Sequence, residues 1–401
     1  MSSDAVTASN TPPYSLWQLM RYMLGLGTWG FGGPVALVAY MHRDLVDRRA
    51  WITDADYKEG MTLAQLMPGP LAAQLAIYIG YVHYRVLGAT LAGLAFVLPS
   101  FLMVLGIGKA YVSYGGIPWM QAVFYGVGAS VLGIIAISAY KLTAKSVGSD
   151  KLLWAIYAFS ALVTVLTQSE SVLVFLGAGL LVWWLRAGHR PKTGGRLHSV
   201  AVAVPVALVA SVASVGSVSV ADWHLLGQLA AFFTYAGSFV FGSGLAIVPF
   251  LYGGVVTEHG WLNDRQFLDA VAVAMITPGP VVITTGFIGY LIAGFWGAVV
   301  AAMATFLPCY LLTVLPAAWF KKHGKHPGVV AFVDGVTAAA VGALTGAVLV
   351  IAQRTLTDAL TVAMALITAA LLWRFKKLPE PLIVLSAALL GLLLHPLMVR
   401  A

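Results

Sequence analysis

The chain is 401 residues long, 60% hydrophobic, and only 9% of it is Asp, Glu, Lys or Arg, against about 25% charged residues in a soluble domain. That balance excludes most water-soluble readings, because a folded soluble chain of this length still needs a polar shell. The formal charge of +8 comes without a dense basic block, which excludes gripping a nucleic-acid backbone by counterion release.

Cysteine and histidine usage narrows the chemistry further. Cys309 is the single cysteine, so an intrachain disulfide and a cysteine-cluster metal site are both excluded, and its apolar neighbours predict a buried small hydrophobe. His42, His83, His259 and His323 lie near loops without metal-ligand spacing, so neither a metal nor a cofactor is expected. No convergent nucleophile or acid–base group points to an enzyme.

In chain order, a polar tail (1–14) without a basic stretch comes first, so the first span is expected to persist. About thirteen apolar segments of membrane-crossing character follow, near 17–40, 61–82, 87–109, 117–140, 151–167, 170–186, 199–218, 226–250, 268–291, 296–318, 328–352, 356–373 and 380–398. If all cross, seven basic residues (Arg43, Arg48, Arg49, Lys58, Lys109, Arg354 and Arg400) fall on one side and the other sixteen of the 23 on the side of the N-terminus. Positive loops stay in the cytoplasm, which predicts an internal N-terminus and an external C-terminus. Tryptophans such as Trp17, Trp119, Trp183, Trp184 and Trp373 sit where interfacial anchors belong.

The sequence repeats itself. Phe31 and Gly32 match Phe241 and Gly242, Trp51 and Asp54 match Trp261 and Asp264, and Pro68-Gly69-Pro70 matches Pro278-Gly279-Pro280, all at an offset of 210. A one-residue slip to 209 then pairs Gly80 with Gly289, Gly88 with Gly297, Leu98-Pro99 with Leu307-Pro308, Gly126 with Gly335 and Gly133 with Gly342. We divide the chain into a first copy (15–186), a polar linker with a connector span (187–225) and a second copy (226–401). Seven predicted spans separate the two starts, an odd number, so the copies are expected to be inverted. The predicted fold is an all-α polytopic membrane protein of inverted-topology repeats with broken or re-entrant helices.

Glycine and proline mark where the helices break. GLGTWGFGGP at 25–34 offers Gly32, Gly33 and Pro34, and its counterpart offers Ser243 and Gly244. A break there either lines an anion path with backbone N–H groups or lets helices pack closely. The second breaks, Gln65 to Pro70 and Met275 to Pro280, place two prolines around one glycine at matching depth and add Gln65 and Thr277 as side-chain donors. They serve as substrate site, gate or hinge. Among ionisable residues, Asp334 is the most deeply embedded and is a candidate for proton coupling or for a structural polar contact, while Arg85 and Lys109 either steer an anion or snorkel. Glu59 and Asp269 are expected to be solvated at span entrances. Glycine-rich faces suit internal packing or a homodimer.

The residues FGGP at 31–34, PGP at 68–70 and 278–280, and LPS and LPC at 98–100 and 307–309 carry a resemblance over about 15–398 to the long-chain, two-domain form of the chromate ion transporter family. The resemblance implies a bacterial inner-membrane protein that exports chromate, driven by the proton motive force, with sulfate as a structurally similar oxyanion. It directs functional interest to Gly32, Gly33, Pro34, Pro68, Gly69, Pro70, Pro278, Gly279 and Pro280. The second copy departs from FGGP as FGSG, which weakens the transfer to Ser243 and Gly244.

Overall fold

The computed structural model describes residues 12–398 apart from 31–32, 115–117, 168–171, 188–219, 241–246, 324–326, 357, 376–377 and 379. The regular elements among the described residues are all helical. The first series is α1 (Leu16–Trp29), α2 (Gly33–Met41) running into a π-helical turn (His42–Arg48), α3 (Asp54–Leu66), α4 (Leu71–Tyr114), α5 (Pro118–Ser146), α6 (Lys151–Thr167) and α7 (Val172–Ala187). The second is α8 (Val220–Gly237), α9 (Val248–Tyr252) with its own π-helical turn (Gly253–Glu258), α10 (Asp264–Ile276), a single 3₁₀ turn (Val281–Ile283), α11 (Thr284–His323), α12 (Pro327–Thr355), α13 (Ala359–Arg374) and α14 (Glu380–Met398). Each element of the first series has a partner in the second, the π-helical turns included. The expected connector span at 199–218, and Gly32, Ser243 and Gly244, lie outside the described residues.

Local chemistry sets the helix starts. Ser15 and Gln18 form a capping box at α1, as Asn263 and Gln266 do at α10 and Asp358 and Thr361 at α13, each satisfying amides that a helix start leaves open. Helices at 71–114, 121–146, 281–318 and 327–353 are long and apolar enough to cross a membrane, and shorter apolar helices accompany them. Leu94, Leu98 and Leu102 on α4 and Leu307, Leu311 and Leu315 on α11 are exposed at four-residue spacing, a stripe that suits lipid rather than water.

Several expected spans are not single helices. Segments 17–40, 61–82, 226–250 and 268–291 are each interrupted, the first after Trp29 and the two with PGP after Leu66 and Ile276, because proline removes the amide that would continue the ladder. The long helix α4 turns sharply at Arg85 (φ 51°, ψ −140°), and α11 turns at the matching Gly294 (φ 62°, ψ −149°). The legs then lie so close that a Cβ on Gly80 would collide with the Gly88 carbonyl, and one on Gly289 with the Gly297 carbonyl. Glycine is required there because the backbones touch.

The two series are interwoven. The α4 and α11 helices pack on each other, with α1 on α4 and α8 on α11. Beyond them the partners exchange: α5 packs on α13 and α14, whereas α12 packs on α6 and α7. Gly126 meets the Ala387 carbonyl and Gly335 the Ala178 carbonyl, which is one contact made twice with the copies swapped. These small-residue faces are therefore spent inside the chain.

Candidate functional site

The two PGP breaks meet the two earlier breaks, each in the opposite copy. The Gly69 N–H donates to Val240 O at 2.5 Å, and the Gly279 N–H donates to Gly30 O at 3.3 Å. Since Val240 is 210 residues after Gly30, as Gly279 is after Gly69, this is one interaction related by a pseudo-twofold exchange. Both glycines have positive φ, 145° and 101°, a conformation that costs any residue with a Cβ. The Leu-Pro-Ser and Leu-Pro-Cys elements arrive at the same points: a Cβ at Gly279 would strike Ser100 Oγ, and one at Gly69 would come within 2.9 Å of Cys309 Sγ.

Chemically the two crossings differ. Ser100, fully buried, donates its hydroxyl to Pro278 O at 2.7 Å and lies 3.5 Å from Gly27 O. Cys309 has only a weak thiol donor, and at its crossing the fully buried Gln74 takes over, donating Nε2 to Pro68 O at 2.8 Å and Met67 O at 3.3 Å. Gln74 Oε1 is buried without a partner among the described residues.

Each break is followed by a helix start. The Gln74 N–H reaches Pro70 O at 3.0 Å, so the buried amides of Leu71, Ala72 and Ala73 have no earlier carbonyl of their own helix to bond. They form the positive end of α4, which starts directly after the Pro68-Gly69-Pro70 crossing. A cavity of about 490 Å³ adjoins the second crossing, lined by Thr28, Trp29, Leu102, Met103, Gly106, Ile107, Ile276, Thr277 and Pro278.

The expected site residues sort by this geometry. Pro68, Gly69 and Pro70 are at one crossing, Thr277, Pro278, Gly279 and Pro280 at the other, and Gly33 and Pro34 open α2 just past Gly30. The Thr277 hydroxyl bonds back to Val273 O. Gln65 is exposed on α3 and Lys109 is exposed on α4. Arg85 forms the turn in α4 with its guanidinium 5.7 Å from the Tyr81 ring centre. Asp334 receives Arg186 Nη1 at 2.6 Å, and the same guanidinium holds Asp150 at 2.5 Å, an ionic clasp that ties α7 and the residue before α6 to α12. At the matching place in the other bundle, Tyr125 donates to Asp358 at 2.8 Å. Ser100 lies in the Leu-Pro-Ser motif and Gly30 in the 25–34 break, whereas Gln74 and Val240 carried no sequence signal of their own. Asp269, expected at a solvated entrance, is 2% exposed.

Polar backbone at crossed breaks, inside an apolar helical body with helices long and apolar enough to cross a bilayer, is the frame of a multi-pass membrane protein. The chain belongs to the chromate transporter family, which matches it twice, over residues 17–183 and 227–392. It is 66% identical over 397 residues to the "Chromate transport protein" of Cupriavidus metallidurans, covering 99% of this chain and 98% of that one. It is 60% identical to the "Probable chromate transport protein" of Synechococcus elongatus, covering 95% and 96%, and 30% identical to the "Chromate transport protein" of Pseudomonas aeruginosa, covering 98% and 96%. No solved structure matches the chain.

Proposed function

We propose that this protein exports chromate from the cytoplasm across the inner membrane, driven by the proton motive force, through alternating access of two inverted copies that pivot at the crossed breaks. The observation that carries the reading is the reciprocal pair Gly69–Val240 and Gly279–Gly30. Contacts exchanged in this way follow from a pseudo-twofold axis, and an odd number of crossings between the copies would lay that axis in the membrane plane. Opening one crossing while closing its twin then interconverts two related states. Chromate as substrate rests on the family and on the names of its relatives, and the helix starts after the PGP breaks suit a tetrahedral oxyanion. The N-terminus is inside and the C-terminus outside, as the distribution of basic residues favours.

The test is radiolabelled flux in proteoliposomes under imposed gradients of both signs. Vesicles holding the protein inside out accumulate chromate when energised and lose it when the proton motive force is collapsed. Sulfate that accumulates equally well, and competes, would replace the substrate assignment. No flux of either anion would remove the transport reading for oxyanions.

A further inference from the structure

A second polar cavity, about 150 Å³, lies away from the crossings and is lined by Tyr111, Gln121, Phe124, Arg265 and Asp269. Its wall is shared between copies: Tyr111 belongs to α4, Gln121 and Phe124 to α5, and Arg265 and Asp269 to α10. Asp269 is 2% exposed and accepts the Tyr111 hydroxyl on Oδ2 at 2.8 Å. Arg265, exposed at the mouth, points its Nη2 at Gln121 O, 3.0 Å away, and among the described residues makes no ion pair with Asp269. The charged or titratable side chains acting on Asp269 are Tyr111 from α4 and Arg265 from its own helix; α5 contributes Gln121 and Phe124, and Asp334 on α12 is occupied by Arg186.

This is an unusual place for a carboxylate. A carboxylate kept for structure is matched by a cation, as even the partly exposed Asp150 and Asp334 are by Arg186, and a buried one needs such a match more. Asp269 instead faces a cavity with one phenol and an arginine whose guanidinium is directed elsewhere. Its counterpart Glu59 is only half-buried and accepts from Tyr78 at 2.8 Å, so the second copy alone encloses its acid.

We propose that Asp269 and Arg265 form a joint proton and oxyanion site, in which protonation of Asp269 admits a divalent oxyanion beside the Arg265 guanidinium. The proton comes from water in the cavity onto an Asp269 carboxylate oxygen and returns to water when the site opens; no other bond is made or broken. An ionised Asp269 repels the anion and compensates Arg265, whereas the neutral acid removes that repulsion, donates a hydrogen bond and leaves Arg265 to the anion. The site lies on α10, seven residues before that helix ends at Ile276 and enters the Pro278-Gly279-Pro280 break, so occupancy bears directly on the crossing. This rests on the transport reading. A dianion leaving with one proton still carries one net negative charge outward, so the inside-negative potential drives the step while an outside-acid pH gradient opposes it.

The experiment pairs chromate exchange at zero gradient with pH-difference infrared spectroscopy, on wild type and on Asp269→Asn in liposomes. Wild-type exchange falls as pH rises, and Asp269→Asn, fixed in the neutral form, gives an exchange rate that no longer varies with pH. The wild-type spectrum shows a protonated-carboxyl band that disappears with rising pH and is missing from Asp269→Asn. Exchange by Asp269→Asn that keeps the wild-type pH dependence overturns the proposal. So does an infrared band unchanged by the substitution, which decides the matter if Asp269→Asn exchanges nothing. Wild-type protein that exchanges no oxyanion while its Asp269 band titrates would remove the transport reading and leave the proton site standing.

Discussion

The two crossings of the helix breaks solve the same problem with different side chains. At the second, the buried Pro278 carbonyl is satisfied by Ser100, which reaches across from the other copy. At the first, the residue in Ser100's place is Cys309, and the Pro68 carbonyl is satisfied from within its own copy by Gln74. A thiol is a poor donor and a buried carbonyl without a partner costs about 1–3 kcal/mol, so losing the hydroxyl on one side required an amide on the other. Duplicated halves thus keep backbone geometry and vary side chains, so the two crossings are held by different hydrogen bonds.

The strongest way to break this comparison is to load both crossings with a Cβ. Gly69→Val and Gly279→Val each combine a disfavoured φ with a collision against buried neighbours, at a cost above about 2 kcal/mol, and each is expected to lower chromate flux more than about tenfold. Wild-type flux from either correctly inserted variant would mean that the crossing is not part of the path.

The next test sharpens the difference itself. Gln74→Ala and Ser100→Ala each leave a carbonyl unpartnered and should destabilise by about 1–3 kcal/mol in thermal unfolding in detergent. Adding Cys309→Ser to Gln74→Ala puts a hydroxyl where the other copy has one and should recover part of the loss, while adding it to Ser100→Ala should not. Equal effects in both backgrounds would contradict the compensation.

A smaller effect concerns the turns in α4 and α11. Arg85 holds positive φ where the second copy has Gly294, so Arg85→Gly should stabilise by about 1 kcal/mol through relief of backbone strain. If Arg85 steers anions, flux falls in the same variant; unchanged flux leaves the turn as its role.

The smallest effect belongs to the ionic clasp. Burial pushes the Asp150 carboxyl up, but the Leu153 and Leu152 amides together with Arg186 outweigh it and hold it below the usual carboxylate range. A depressed acid lends stability that is complete above its unfolded value and is lost as pH falls through the folded one. Asp150 is partly exposed, so Asp150→Asn should cost no more than about 1 kcal/mol at neutral pH, with the difference from wild type shrinking in acid.

Much of this was legible in the sequence. Glycine and proline spacing at offsets of 210 and 209 located the breaks, because only those residues tolerate or force such backbone, and the same spacing fell on Gly126–Ala387 and Gly335–Ala178 as one swapped contact. What a helical pattern does not state is which faces meet. Gln74 reads as a polar residue near a helix start and Asp269 as an entrance charge until α4, α5 and α10 are brought together. Asp334 looked the most embedded acid because its neighbours in sequence are apolar, yet its partner Arg186 comes from the other copy.

If the crossings open during transport, the chain carries its own probe of that opening. Cys309 is the single cysteine, fully buried against the first crossing. Labelling by a membrane-impermeant maleimide in proteoliposomes, at rest and during chromate flux, reports that opening directly. A crossing that opens in transport leaves the thiol silent at rest and reactive during turnover; sustained flux with Cys309 still unreactive would contradict such opening.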